Sequence, residues 1–140
     1  MRTRCLLAGA LLLALFGSAA AQAPACSGAQ QRKLVAELLL GRNIGDRLGV
    51  SQRDFAQFVD REISRRFPDG ATILDASGRY YDAARKKTLR EPSKLVMIVL
   101  PQGAQDQDKL DAIMTAYRIR FRQQSVGLIL REACVSFQTQ

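Results

Sequence analysis

The chain has 140 residues, 47% of them hydrophobic, which suits one packed domain with a single core and excludes a low-complexity tract. Lys and Arg number 21 against 13 Asp and Glu, a net charge of +8 that favours anionic partners such as lipid head groups, acidic polysaccharide or nucleic acid. There is no histidine, which removes the commonest general base, nucleophile activator and metal ligand.

Arg2 and Arg4 form a basic n-region, Cys5 to Phe16 an apolar stretch, and Ala19 to Ala21 a small-residue cleavage site. Residues 1–21 therefore read as a secretory signal peptide. The apolar run is too short to span a bilayer and is broken by Gly17 and Ser18, with a retained anchor as the alternative. Cleavage leaves residues 22–140 as one domain with a charge of +6 and no membrane span, expected in the periplasm or outside the cell. In that compartment nucleic acid is not an expected partner.

Two cysteines survive cleavage, Cys26 and Cys134. In an exported chain a pair of cysteines reads as a disulfide, and closing a loop of about a hundred residues stabilises a fold by roughly 4 to 5 kcal/mol in the chain-entropy model. The rival reading is a lipidated Cys26, but it lies far past the apolar run and lacks a leucine three residues earlier.

Arg32 to Gly41 reads as the first strand, with Leu34, Ala36, Leu38 and Leu40 on one face and Val35, Glu37 and Leu39 on the other. Arg42 to Gly49 is a loop. Ser51 then caps a helix, with Asp54 at its third position and Val50 placed to staple against Phe55. Phe55, Phe58, Val59, Ile63 and Phe67 form its apolar stripe, and Phe67-Pro68-Asp69-Gly70 ends it. Ala71 to Ala76 reads as a strand, Ser77-Gly78 as a tight turn, and Arg79 to Asp82 as the hairpin partner. Arg85 to Pro92 is a basic loop.

Lys94 to Pro101 follows: six consecutive apolar residues closed by proline, the pattern of a mid-sheet strand buried on both faces. Asp106 to Phe121 is a second amphipathic helix, its acids first and its arginines last, as the helix dipole favours. Val126 to Leu130 and Cys134 to Phe137 supply the last strand or strands.

This order is the split βαβ plan: a ferredoxin-like α+β sandwich with both helices on one face of an antiparallel sheet, plus an extra hairpin. Two strands apolar on both faces imply a lid over the helix-free face. A homodimer through that face is the simplest lid, with a folded-over C-terminus as the alternative.

Several segments together resemble a known family: Glu37 to Arg42, Arg66 to Gly70, Leu74 to Arg79, Arg90 to Lys94, Tyr117 with Phe121, and Ala133 to Phe137. They are similar to the small exported bacterial proteins of domain of unknown function 3574, over Cys26 to Phe137. Members commonly carry an aromatic at the position of Leu39 and another residue at that of Pro92. The resemblance implies a small exported or lipid-anchored domain and carries no established activity.

Few residues suggest chemistry. Asp106, Asp108 and Asp111 lack the glycine and distal glutamate of a calcium loop, and no Gly-Lys-Ser/Thr follows Gly41 to Gly49. With the cysteines paired there is no metal site, no cofactor and no catalytic residue to name. Glu37 on an apolar strand face needs a partner, Arg42, Arg90 or Arg131; as a buried ion pair its loss would cost a few kcal/mol, and the alternative is a pocket on that face. Arg42, Asp75, Tyr81, Arg90, Ser93 and Lys94 complete the binding candidates, with Tyr80 assigned to the core and Arg85-Lys86-Lys87 to a solvated loop. Two functions follow from this. One is a non-catalytic module binding an anionic small ligand or an envelope partner. The other is a cofactor-independent enzyme with a pocket on the sheet face of a dimeric α+β barrel.

Overall fold

The computed structural model describes residues 25–138; the expected signal peptide over residues 1–21, with Cys5, lies outside them. Four long strands are laid down: β1 (Gln31–Gly41), β4 (Thr72–Asp82), β5 (Lys87–Val99) and β6 (Gly127–Val135). They form one antiparallel sheet in the order β4-β5-β1-β6. The short β2 (Asn43–Ile44) and β3 (Arg47–Leu48) make a small separate hairpin after β1. Helix α1 (Gln52–Phe58) and helix α2 (Gln107–Phe121) complete a ferredoxin-like α+β fold.

Alternation along the central strands decides what the helices cover. Ala36, Leu38 and Leu40 of β1 and Val96 and Ile98 of β5 share a face and are fully buried. They pack with Phe55, Phe58 and Ile63 from the first helix, Phe67 from the turn after it, and Leu110, Ile113, Tyr117 and Phe121 from α2. Ser51 caps α1 as its type and position require, accepting the Asp54 N–H at 3.0 Å. Past Phe58 the helix widens to a π turn, Val59–Ile63, closed by the Ser64 N–H on the Val59 carbonyl at 2.9 Å. The extra residue in that turn lets Phe58 and Ile63, five apart, both reach the core.

Three expectations change. Ser77-Gly78 makes no turn: β4 runs unbroken through it, in register with β5 from Thr72↔Met97 to Asp82↔Lys87. The turn falls at residues 83–86, so most of the expected basic loop is strand. Nothing in a local Ser-Gly pair can compel a turn when eleven consecutive residues find a ladder partner. The central strand is also not buried on both faces, since Leu95, Met97 and Val99 on the helix-free side stay half-exposed. Leu39, Leu74 and Ile129 on the same side are exposed. Phe137, beyond β6, lines a shallow cavity of about 590 Å³ at one end of that face with Val35, Met97 and Val99.

The last strand is continuous too, and Cys134 within it bonds to Cys26 with Cα atoms 5.4 Å apart. That link ties the segment before β1 to its sheet neighbour across 108 residues. Replacing both cysteines by serine should lower unfolding free energy by about 4 kcal/mol, measured by denaturant titration. A cost under about 1 kcal/mol would mean that the sheet alone holds these ends.

Candidate functional site

The helix-free face ends in a groove of about 420 Å³. Its floor is the end of the sheet, where Gly41, Gly78 and Gly127 present backbone beside Glu91 and Ser93. The bare Gly41 makes room for Glu91, because a Cβ there would stand 2.6 Å from Glu91 Oε1 and displace the carboxylate. The Glu91 carboxylate thus lies flat over the chain, and its Oε1 accepts the Asn43 N–H at 3.0 Å. No cation lies within ion-pair distance of it among the described residues.

Three segments wall the groove. One is the β4–β5 arm, bearing Arg79, Tyr80, Asp82 and Arg85; the second is the β2–β3 hairpin; the third is the loop Arg122 to Ser125. Hydrogen bonds knit them together. Arg85 pairs with Asp46, Lys87 stands 3.9 Å from the same carboxylate, and Gln123 Nε2 donates to the Asn43 carbonyl at 2.7 Å. Arg122 closes α2 in the left-handed region, φ 50°, where helices ordinarily place glycine. For a residue with a Cβ this conformation costs about 1 kcal/mol or more, and such strain gathers at functional positions.

On the opposite face, beneath the start of α1, lies a second cluster. Arg42 and Lys94 are each 6% exposed. Arg42 Nε donates to the Val50 carbonyl at 2.9 Å; Lys94 Nζ meets Asp75 Oδ1 at 2.6 Å and sits 5.3 Å over the Phe55 ring. The Lys94 hydrogen bond holds the Asp75 carboxyl below its ordinary 3.8, with Gln52 and Arg42 adding to the effect against some desolvation. Burial pushes the nearby Tyr117 phenol upward; Arg42 opposes this and Glu91 adds to it.

The structure thus divides the candidates. Arg42, Asp75 and Lys94 come together, and they line neither the groove nor the cavity beside Phe137. Ser93 lies on the groove floor, its Oγ donating to the Glu91 carbonyl at 3.1 Å. Tyr81 and Arg90 fall on the other side of the ribbon from Gly78 and Glu91 and are exposed. Tyr80, assigned to the core, is exposed and lines the groove. Glu91 and Arg122 were not among the candidates. Unbroken alternation through β4 and β5 is the signal that places Glu91, Ser93, Gly78 and Tyr80 on one side; for Arg122 no local signal exists.

Glu37 stands apart, mid-face, where Arg131 holds its Oε1 through Nε at 3.1 Å and Nη2 at 2.7 Å. Arg131, from the third expected partner position, is the one that meets it. The Arg131 side chain is 51% exposed, so it rehydrates when its partner is lost, and the cost expected for a buried pair does not apply. Glu37→Gln should therefore lower stability by about 1 kcal/mol or less, read as a small fall in thermal midpoint. Asp75 behaves differently because its partner is buried. With a folded pKa below the unfolded one, its contribution is complete above pH 3.8 and is lost as pH falls through the lower, folded value. Asp75→Asn should lower the unfolding midpoint at pH 7 and flatten its acid dependence; an unchanged midpoint would remove Asp75 as the counter-charge of Lys94.

Among solved structures the chain is similar to the phage SAM lyase in complex with S-methyl-5'-thioadenosine, with TM-score 0.58 and 17% identity, over 85% of this chain and 100% of that one. The same lyase in its apo state gives TM-score 0.57 and 18% identity, over 84% and 100%. CPII, a nitrogen regulatory PII-like protein from Thiomonas intermedia K12 bound to ADP, AMP and bicarbonate, gives 0.43 and 13%, over 79% and 99%. The lyase likeness shows a shared fold and transfers no residue. No curated protein matches. A family model does match, over residues 35–137, and the chain belongs to that family, the proteins of unknown function DUF3574.

Proposed function

We propose that this chain is an exported, non-catalytic module that binds a small acid-bearing ligand in the groove at the end of its helix-free sheet face. The observation that carries the reading is Arg122, held with positive φ beside a pocket floored by glycine. A fold under no demand for a cation there would put glycine at a helix end. Glu91 complements it: a carboxylate with no ion pair among the described residues favours a ligand that also offers a donor or a positive group. The volume of about 420 Å³ lies within the usual range for small-molecule sites. Export is supported by the disulfide, a bond that persists in oxidising compartments, and by the leader read in residues 1–21.

Glu91 also favours a second reading, in which the floor carboxylate acts as a base in a cofactor-independent reaction; the phage SAM lyase shows that this fold can house an enzyme. The two are separated by one pair of proteins and a defined panel. Thermal shift of wild type and Arg122→Gly is measured with inorganic phosphate, glutamate, AMP and S-methyl-5'-thioadenosine. Arg122→Gly should equal or exceed wild type in stability by up to about 1 kcal/mol, because the strain is relieved. An anionic compound should raise the wild-type midpoint and leave that of the variant unmoved. A compound that shifts both proteins equally would remove the groove as its site. Release of S-methyl-5'-thioadenosine from S-adenosylmethionine, lost in Glu91→Gln, would establish the enzymatic reading instead.

A further inference from the structure

Among the described residues, strand β4 is an edge of the sheet, with its outer side unpaired along eleven residues. Natural edges are blunted by proline, lysine, bulges or short length, because an open ladder pairs with any strand that fits it. The other edge, β6, carries Arg131 and Glu132 mid-strand, each in an ion pair with β1. β4 has no proline or lysine, and its unbroken register with β5 leaves no bulge. It exposes Ile73, Leu74, Tyr80 and Tyr81 instead.

Its sequence is complementary to itself. We propose that β4 pairs antiparallel with β4 of a second copy of this chain, about a two-fold axis at Ser77. That register sets Ile73 against Tyr81, Leu74 against Tyr80, Asp75 against Arg79 and Ala76 against Gly78. Aliphatic-on-aromatic and opposite-charge pairs are the favourable ones across an antiparallel ladder, and small residues meet at the centre. Moving the axis by one residue sets Asp75 against Ser77 or against Tyr81 and leaves the charges unmatched. Asp75 can accept the second cation: it takes Lys94 at 2.6 Å while its side chain remains 72% exposed. Arg79 has no ion-pair partner in its own chain among the described residues.

The product is a two-fold symmetric sheet of eight strands with all helices on one side. Its seam runs past Gly78 and Tyr80, which line the groove, so each copy's Leu74 buttresses the other's groove wall.

Light scattering and cysteine pairing test the register. Wild type should have a dimer mass at micromolar concentration. Ser77→Cys should cross-link to itself on mild oxidation, whereas Ile73→Cys and Tyr81→Cys should cross-link only when mixed. Arg79→Asp, an exposed change that faces Asp75 with a like charge, should raise the dimer dissociation constant at least tenfold. A monomer at all concentrations overturns the proposal. So does a dimer that persists unchanged in Arg79→Asp and fails to cross-link through Ser77→Cys, an outcome that moves the second copy to the helix-free face.

Discussion

The Tyr117 hydroxyl donates to the Gly41 carbonyl at 2.8 Å, and most of what distinguishes this fold depends on that contact. The ring is fully buried, edge-on to Phe58 at 5.0 Å and tilted against Phe121 at 4.8 Å, so the phenol has one place to go. A buried hydroxyl must be satisfied, and the carbonyl at the last residue of β1 satisfies it. The bond therefore fixes α2 along its axis against the sheet. It also fixes the level at which β1 stops, and with it the residue whose missing side chain admits Glu91.

From that point the two sides of the sheet diverge. Below it, Arg42 and Lys94 are buried with a carbonyl, a carboxylate and an aromatic face to receive their charge. Every group there has a partner, and the cluster clamps the start of α1 to the β4–β5 ribbon. Buried charge arranged in this way favours one packing over others more than it adds stability. Above it, Glu91 and Arg122 line the groove with no ion pair among the described residues, on a floor of bare backbone. The same few residues of β1 thus separate a saturated structural network from an unsaturated surface site.

The helix-free face shows a similar economy. Two helices cover the centre of a sheet but not its edges, so Ile73 and Leu130 are partly exposed even on the covered side. On the uncovered side the Glu37–Arg131 pair lies across β1 and β6 and dilutes the apolar surface. Phe137, itself exposed, lines the cavity at one end. The face is less apolar than its strands suggest one at a time, because neighbours in the sheet contribute charge to it.

What the sequence determined by itself was the plan of a first strand, a helix, a strand-rich middle, a second helix and a last strand, read from period and caps; it placed one strand too many in the middle by turning the chain at Ser77-Gly78. Ser51 with Asp54, the stripe from Phe55 to Phe67, and the apolar run from Leu95 to Leu100 each encode local structure through contacts within a few residues. The cysteine pairing was legible for a similar reason, since the two cysteines beyond the expected leader have one way to join. Only the tertiary structure decided the rest. Ser77-Gly78 reads as a turn until β5 offers it a ladder, and the choice shifts Tyr80 and Tyr81, and with them Glu91 and Arg90, between opposite faces. Glu37 had three arginines to choose from, and the β1–β6 register selected Arg131 by setting Val35 opposite it. Arg122 carries no mark in the sequence at all. Its strained backbone arises where α2, held by Tyr117, must turn back into β6, and a constraint imposed by the two ends of a loop leaves no signature in the residues between.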